Sequence, residues 1–294
     1  MVKKTIEDRM FEACNYFLLT LVLVIVLYPL IFVLSASFSD PYKVINGQVW
    51  LWPQDFTLKA YSKVLQNQDI LTGYWNTILY TVTGTALNLT ATIMAAYPLS
   101  RKDFYGRNGI MAIIVFTMFF GGGLIPVYLL IKNLGMVNTF WVMIIPNLVS
   151  AWNIIIMRTF MQSSIPLEVQ EAAAIDGCSN LQILWRVVLP LSTPIIAVMV
   201  LFYGVSHWNA FFNALIYLTD RDKYPLQLIL REILIQSQMQ EMLGVSEESL
   251  VAQIMDAEAI KYAVVIVANL PVLLLYPFLQ KYFVKGIMIG AIKG

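Results

Sequence analysis

Charge is missing from this chain in long blocks, and that absence constrains its fold more than any motif does. With Asp, Glu, Lys and Arg taken as boundaries, six long uncharged stretches stand out, at residues 13–39, 70–100, 108–131, 133–157, 187–219 and 262–280. A helix needs roughly 20 apolar residues to cross the hydrocarbon core of a bilayer. Inside lipid the backbone must satisfy its own hydrogen bonds, so each stretch is expected to be helical. The pattern therefore predicts an all-α membrane protein of six transmembrane helices, with spans near 14–38, 73–98, 109–131, 139–160, 190–217 and 262–281, forming one permease domain over 1–294. Composition agrees: 59% of the 294 residues are hydrophobic and only 13% charged, about half the charged share of a soluble protein. The net charge of +1 gives no field that would gather nucleic acid.

The first stretch follows Lys3, Lys4 and Arg9, as a secretory signal would. Its apolar part is too long for a signal core, and five more stretches follow, so it reads as a retained anchor. With a cytoplasmic N-terminus, the inner loops and termini carry 11 Lys and Arg against 8 outside. The cluster Arg101-Lys102-Asp103-Phe104-Tyr105-Gly106-Arg107 decides most of that bias, which places both termini in the cytoplasm. Two external loops are long, 40–69 and 220–261. The second opens with Leu226, Ile229, Leu230, Ile233 and Leu234, a spacing that predicts an amphipathic helix on the outer membrane surface. Cys14 and Cys178 make no disulfide framework and read as reduced small residues.

Residues 164–190 form the predicted cytoplasmic loop between the fourth and fifth spans. Pro166 suits a first helical turn. Glu168 and Glu171 sit near the positive end of the helix. Gly177 can take the left-handed conformation that ends one. Ser179 and Gln182 then form a capping box for a second helix, whose apolar face would be Leu181, Leu184, Trp185 and Val188. Pattern alone leaves this open as an ordinary interfacial hairpin.

The run Glu171-Ala172-Ala173, Asp176-Gly177 and Leu189-Pro190 resembles the "EAA" signature of ABC importer permeases. The resemblance covers essentially the whole chain and points to the smaller permease of the maltose-type carbohydrate importers. The ending Gln280 to Gly294 is similar to that subfamily's tail. Phe119-Phe120-Gly121-Gly122-Gly123-Leu124-Ile125-Pro126 resembles the branch that imports complex oligosaccharides and polysaccharide fragments. What this implies is the type I ABC importer permease fold in a bacterial plasma membrane. Its implied partners are a second homologous permease, two ATPase subunits and an extracytoplasmic solute-binding protein. The ATPase would contact Glu168, Glu171, Ala172, Ala173, Asp176, Gly177, Leu181, Trp185, Leu189 and Pro190. ATP and Mg would be bound by that ATPase, with no cofactor, metal or catalytic residue in this chain.

The residues support a separate motor. Gly121-Gly122-Gly123 lacks the Lys of a phosphate-cradling loop and reads as close packing or a local kink in the third span. The uncharged stretches hold no Asp, Glu, Lys or Arg to act as an ion relay. The single histidine, His207, reads as a packed or hydrogen-bonded residue. The alternatives are an ion-coupled secondary transporter, or an ABC permease for a non-sugar solute. Sugars are held by aromatic faces and amides. The fifth span offers Trp208, Asn209, Phe212 and Asn213, with the two asparagines four apart and so on one helical face. Counted from Pro190 at about 1.5 Å per residue, Trp208 lies about 27 Å up that helix. Asn153 joins this candidate path, and Tyr74, Trp75, Asn76, Asn88, Asn147 and Trp152 are further candidates, with Trp75 and Trp141 better suited to interface anchoring.

Overall fold

The first uncharged stretch folds as one unbroken helix, α1 (Ile6–Ser37). Thr5 caps it, its hydroxyl accepting from the Asp8 amide while Asp8 returns a bond to the Thr5 N–H. Apolar residues surround it on every side, and none before Ser35 is buried in this computed structural model, as suits a helix whose solvent is lipid. The structure describes residues 5–243, 260–274 and 277.

The chain packs as two units, Met1–Ile70 with Leu230–Leu270, and Leu71–Ile229 with Pro271–Gly294. In the first, α1 runs into α2 (Pro41–Ile45) and α3 (Lys59–Gln66). Its last turn is tied down by serines. Ser35 Oγ donates to Leu51 O at 2.7 Å, Ser39 Oγ accepts from Gln54 N at 3.0 Å, and Ser37 Oγ pairs with Tyr61 Oη at 2.8 Å. Phe38 stacks between Phe56 and Tyr61.

The second unit is built on α4 (Gln68–Ser100), about 50 Å of continuous helix. After it the expected straight spans are broken. The stretch 108–131 is two helices, α5 (Arg107–Phe119) and α6 (Leu124–Asn133), bent by 112°. The break falls on the three glycines. A Cβ on Gly121 or Gly123 would meet nothing within 4 Å, and Gly123 has φ +79°, so these glycines serve a turn and not close packing. The stretch 133–157 holds 3₁₀ turns at Phe140–Met143 and Ile145–Asn147, then α7 (Ala151–Ser164) at 55°. Next come α8 (Leu167–Ile175), α9 (Asn180–Ile183), a π turn at Leu184–Val188, and α10 (Leu189–Leu191). Beyond an 82° bend lie α11 (Thr193–Trp208) and α12 (Phe212–Tyr217). Pro190 and Pro194 lack the amides that would carry a helix straight through Ser192. Trp208 therefore stands about 22 Å along α11 from Thr193, not 27 Å from Pro190.

After a 3₁₀ turn at Arg221–Lys223 comes α13 (Leu226–Leu243), then α14 (Ile260–Leu274). The amphipathic helix expected at 226–234 forms, but its first turn is not laid on a surface. Leu226 N donates to Thr77 Oγ1 at 2.8 Å. Gly73 of α4 leaves room for Leu226 and Ile229, and Leu226, Leu228 and Ile229 are buried. The tail at 280–294 lies outside the described residues.

Side chains from α5 and α7 close the C-terminal end of α4. Arg158 Nε donates to Leu99 O at 2.9 Å, Gln162 Nε2 to Ser100 O at 3.3 Å, and Arg107 Nη1 to Arg101 O at 2.9 Å. These carbonyls have no partner within their own helix, and cations there also complement its negative end. A charged hydrogen bond of this kind contributes about 1.5–3 kcal/mol. Arg158→Met should therefore lower the melting temperature of the purified protein by several degrees, while Lys102→Ala should leave it unchanged; equal melting of all three proteins would remove Arg158 from the account.

Candidate functional site

Two places in the second unit gather the residues singled out from sequence. The first is the helical hairpin over 166–190. Pro166 caps α8 and is not its first helical residue. No residue of α8 is buried, and Glu168, Glu171, Ala172 and Asp176 are exposed. The helix ends in a Schellman motif: Cys178 N donates to Ala173 O and Gly177 N to Ala174 O, both at 3.0 Å, with Gly177 at φ +82°. Among the described residues nothing lies within 4 Å of a Cβ built on Gly177, so it is the backbone conformation that favours glycine there. Ser179 and Gln182 then complete the expected capping box, with Ser179 N donating to Gln182 Oε1 at 2.8 Å. Two helices thus meet at an elbow whose every residue is fixed by a cap.

The apolar face expected on the second helix is divided. Leu184 and Val188 are buried with Ile183, but Leu181 and Trp185 are each 69% exposed. The inward side is centred on Ile183, Leu184, Val187 and Val188, so Leu181 and Trp185, four apart, share the outward edge of the helix. Leu189 is half-buried and Pro190 exposed. A groove of about 810 Å³ runs beside α8, with Arg101, Lys102 and Arg107 on one wall and Glu168 and Glu171 on the other. Arg101 is bound bidentately by Asp103 at 2.8 Å. That pairing holds the Asp103 carboxyl below the usual carboxylate range and pushes the guanidinium up.

The second place is a polar cavity of about 590 Å³ among α4, the 3₁₀ segment before α7, α7 itself and α11. Asn88 of α4 is 1% exposed. Its Nδ2 donates to Asn147 O at 2.8 Å, and its Oδ1 lies 2.9 Å from His207 Nε2. The carbonyl can only accept, which fixes the amide's orientation and makes His207 Nε2 the donor. Gly84, one turn before Asn88, touches the His207 ring so closely that a Cβ would overlap it. Tyr203 Oη pairs with Thr92 Oγ1 at 2.7 Å and accepts from Ser150 N at 3.5 Å. Ser150 Oγ in turn caps α7 by accepting from Asn153 N.

Of the candidate path residues, Asn153 and Asn213 line this cavity, as do Asn88 and Asn147 of the further candidates, while Tyr74, Trp75, Asn76 and Trp152 lie outside it. Trp208, Asn209 and Phe212 do not line it either. Trp208 is 6% exposed and meets Tyr74 edge-on at 5.7 Å. Asn209 ends α11 and turns its amide back to Val205 O. Phe212 is exposed, edge-on to Phe211. The shared face expected for Asn209 and Asn213 is absent because the chain leaves the helix between Trp208 and Phe212. Ser150, Tyr203, Ser206 and His207 also line the cavity. Of these four, only His207 carried a sequence signal, as the single histidine of the chain, in a stretch without Asp, Glu, Lys or Arg.

The family pattern of the binding-protein-dependent transport system inner membrane component matches residues 88–289. The chain belongs to that family. It is 40% identical to Protein LplC of Bacillus subtilis over 99% of this chain and 97% of the relative. It is also 40% identical to the polygalacturonan/rhamnogalacturonan transport system permease protein YtcP of the same organism, over 98% and 100%. Among solved structures it superposes on a chain of a bacterial ABC transporter involved in import of the acidic polysaccharide alginate, with a TM-score of 0.87, 36% identity, and 96% and 100% coverage. An inner membrane component of this kind is a transport subunit and not an enzyme, and ATP hydrolysis belongs to a separate ATPase. Both the Asn88–His207 pair and the α8 hairpin fall inside the matched region of this inner membrane component.

Alanine at Gly84 should lower stability by about 1–3 kcal/mol through overpacking against His207, although Gly→Ala in a helix is otherwise favourable. Gly204 of α11 is the control, since a Cβ there makes only ordinary contact with Thr85 Oγ1 at 3.8 Å. Thermal melting should rank Gly204→Ala at or above the parent and Gly84→Ala below it; the reverse order would show that α4 and α11 are not in contact at the histidine.

Proposed function

We propose that this chain is the permease subunit of an ATP-driven, binding-protein-dependent oligosaccharide importer. It crosses the plasma membrane of a bacterium six times with both termini cytoplasmic. It provides half of the translocation pathway, the other half coming from a second, homologous permease. The hairpin over 166–190 docks into a separate ATPase, two copies of which drive the cycle. Carbohydrate cargo is supported by the permease for polygalacturonan/rhamnogalacturonan and by the alginate importer. A binding protein is supported by the family's own description.

The observation that carries the coupling role is the α8 elbow. Its helix is exposed along its length yet capped at both sides of Gly177. A segment that only filled space would be buried, and one that only linked helices would need no such fixation. A short helix held at a fixed angle can be pushed as a lever by a closing ATPase pair, with Glu171 on its exposed side and Leu181 and Trp185 available to a partner. The bends after α10 and within 119–124 let the far ends of the helices change direction without breaking backbone pairing in lipid.

Gly177→Val places a β-branched residue at positive φ, costing about 1–2 kcal/mol or more at the elbow. In reconstituted transporter, uptake should fall at least tenfold while the ATPase still co-purifies. Replacing 166–190 by a flexible linker should release the ATPase and leave the permease pair intact. An ATPase retained without the hairpin would place the docking site elsewhere, and a chain that purifies alone and still transports would favour an ion-coupled transporter.

A further inference from the structure

We propose that the cavity on Asn153 is a saccharide subsite that reads hydroxyl groups through uncharged amides, with Asn88 and His207 as its positioning pair. The inference rests on the carbohydrate-importer reading and assigns it a place in this chain. Asn153 is only 7% exposed, lines the cavity, and its side-chain amide has no hydrogen-bond partner in the protein among the described residues. A buried amide without a partner in the protein is paired by whatever fills the space beside it, water or ligand. Asn213 lines the same cavity and likewise has no side-chain partner among the described residues, and Ser206 adds an exposed hydroxyl.

The wall chemistry selects the ligand class. Among the described residues no Asp, Glu, Lys or Arg lines the cavity, so none of them offers a fixed charge to an ion. An amide offers two donors and an acceptor in one plane, and a sugar hydroxyl offers one donor and two acceptor sites. Each can therefore meet the other in either direction, so one amide can serve successive sugar units as they pass. Phe202 and Met143 give an apolar wall for the C–H faces of a pyranose. The volume of about 590 Å³ lies within the range of small-molecule sites. A path must bind well enough to admit its cargo and weakly enough to release it, which neutral hydrogen bonds do and a buried ion pair does not.

Asn88 and His207 have a different task. Both are buried and bonded to each other, and Asn88 also holds the Asn147 carbonyl. They fix the segment that carries Ser150 and Asn153 against α11, and so set the spacing between Asn153 and Ser206.

The test is cysteine accessibility in the assembled transporter in nanodiscs, with Cys14→Ser and Cys178→Ser as background. Val149→Cys and Ala210→Cys, two cavity-lining positions with no part in the proposed contacts, should each react with a small charged thiol reagent. That reaction should slow at least tenfold in the presence of binding protein and a trisaccharide the background transporter imports, drawn from a panel of neutral and uronate trisaccharides. Tyr105→Cys, at an exposed position, should react at a rate the sugar does not change. Two independent positions guard against one variant failing to fold. Import without protection at either position would overturn the subsite and leave the importer reading standing. No reaction at either cysteine would show a cavity closed to water and also overturn it. Import of no trisaccharide in the panel would overturn the carbohydrate reading, and the subsite with it.

Discussion

A helix that breaks among packed neighbours frees backbone carbonyls from their own ladder, and something must bind them. In this chain that demand is met by Asn88, whose amide holds the Asn147 carbonyl at the break before α7. The same side chain then orients His207 on α11. Three segments distant in sequence are joined through one buried residue, and the polar cavity exists because they are held at that spacing. Ser150 repeats the device on a smaller scale, capping α7 while its own amide donates to Tyr203. Polar side chains in the uncharged stretches therefore do two kinds of work. Some, like Asn88 and Thr92, bind a freed carbonyl or tie one helix to another. Others, like Asn153 and Asn213, stand unpaired at the cavity.

The same logic governs the other end of α4. Its last carbonyls are taken by Arg158, Gln162 and Arg107, which draw the start of α5 and the end of α7 to one point. α8 begins only a few residues beyond Gln162, after the buried Ile165. The exposed hairpin therefore joins a braced junction and not a loose loop. Across the helical core, α7 and α11 share a continuous apolar cluster from Met161 through Met157 to Met199 and Tyr203. Tyr203 is also a cavity residue. Contact between the hairpin and the polar site is thus physical and short, through packed side chains that resist compression.

The helical class, the apolar stretches and the caps at Ser179 and Gly177 were legible in the sequence because each is a local rule. Hydrogen bonding to neighbours three or four residues away decides a cap, and the bilayer decides the length of an apolar run. Straightness was not legible, since a glycine triplet or a proline can either kink a helix or end it. The surroundings choose between these. The face shared by Leu181, Leu184, Trp185 and Val188 failed for a related reason: periodicity gives a stripe of apolar residues, and the neighbours packed against it decide that Ile183, Leu184 and Val188 turn inward while Leu181 and Trp185 do not.

What the sequence alone determined was therefore a helical membrane protein with a capped hairpin between its fourth and fifth apolar stretches, because charge, chain length and nearest-neighbour bonding suffice for that. What only the tertiary structure decided was which polar residues meet. Asn88 and His207 are 119 residues apart, and Trp208 and Asn213 differ by five yet face different surroundings. Periodicity carries a side chain's direction along one helix and stops at the first break. Beyond it, the packing of α4 against α7 and α11 sets what lines the cavity.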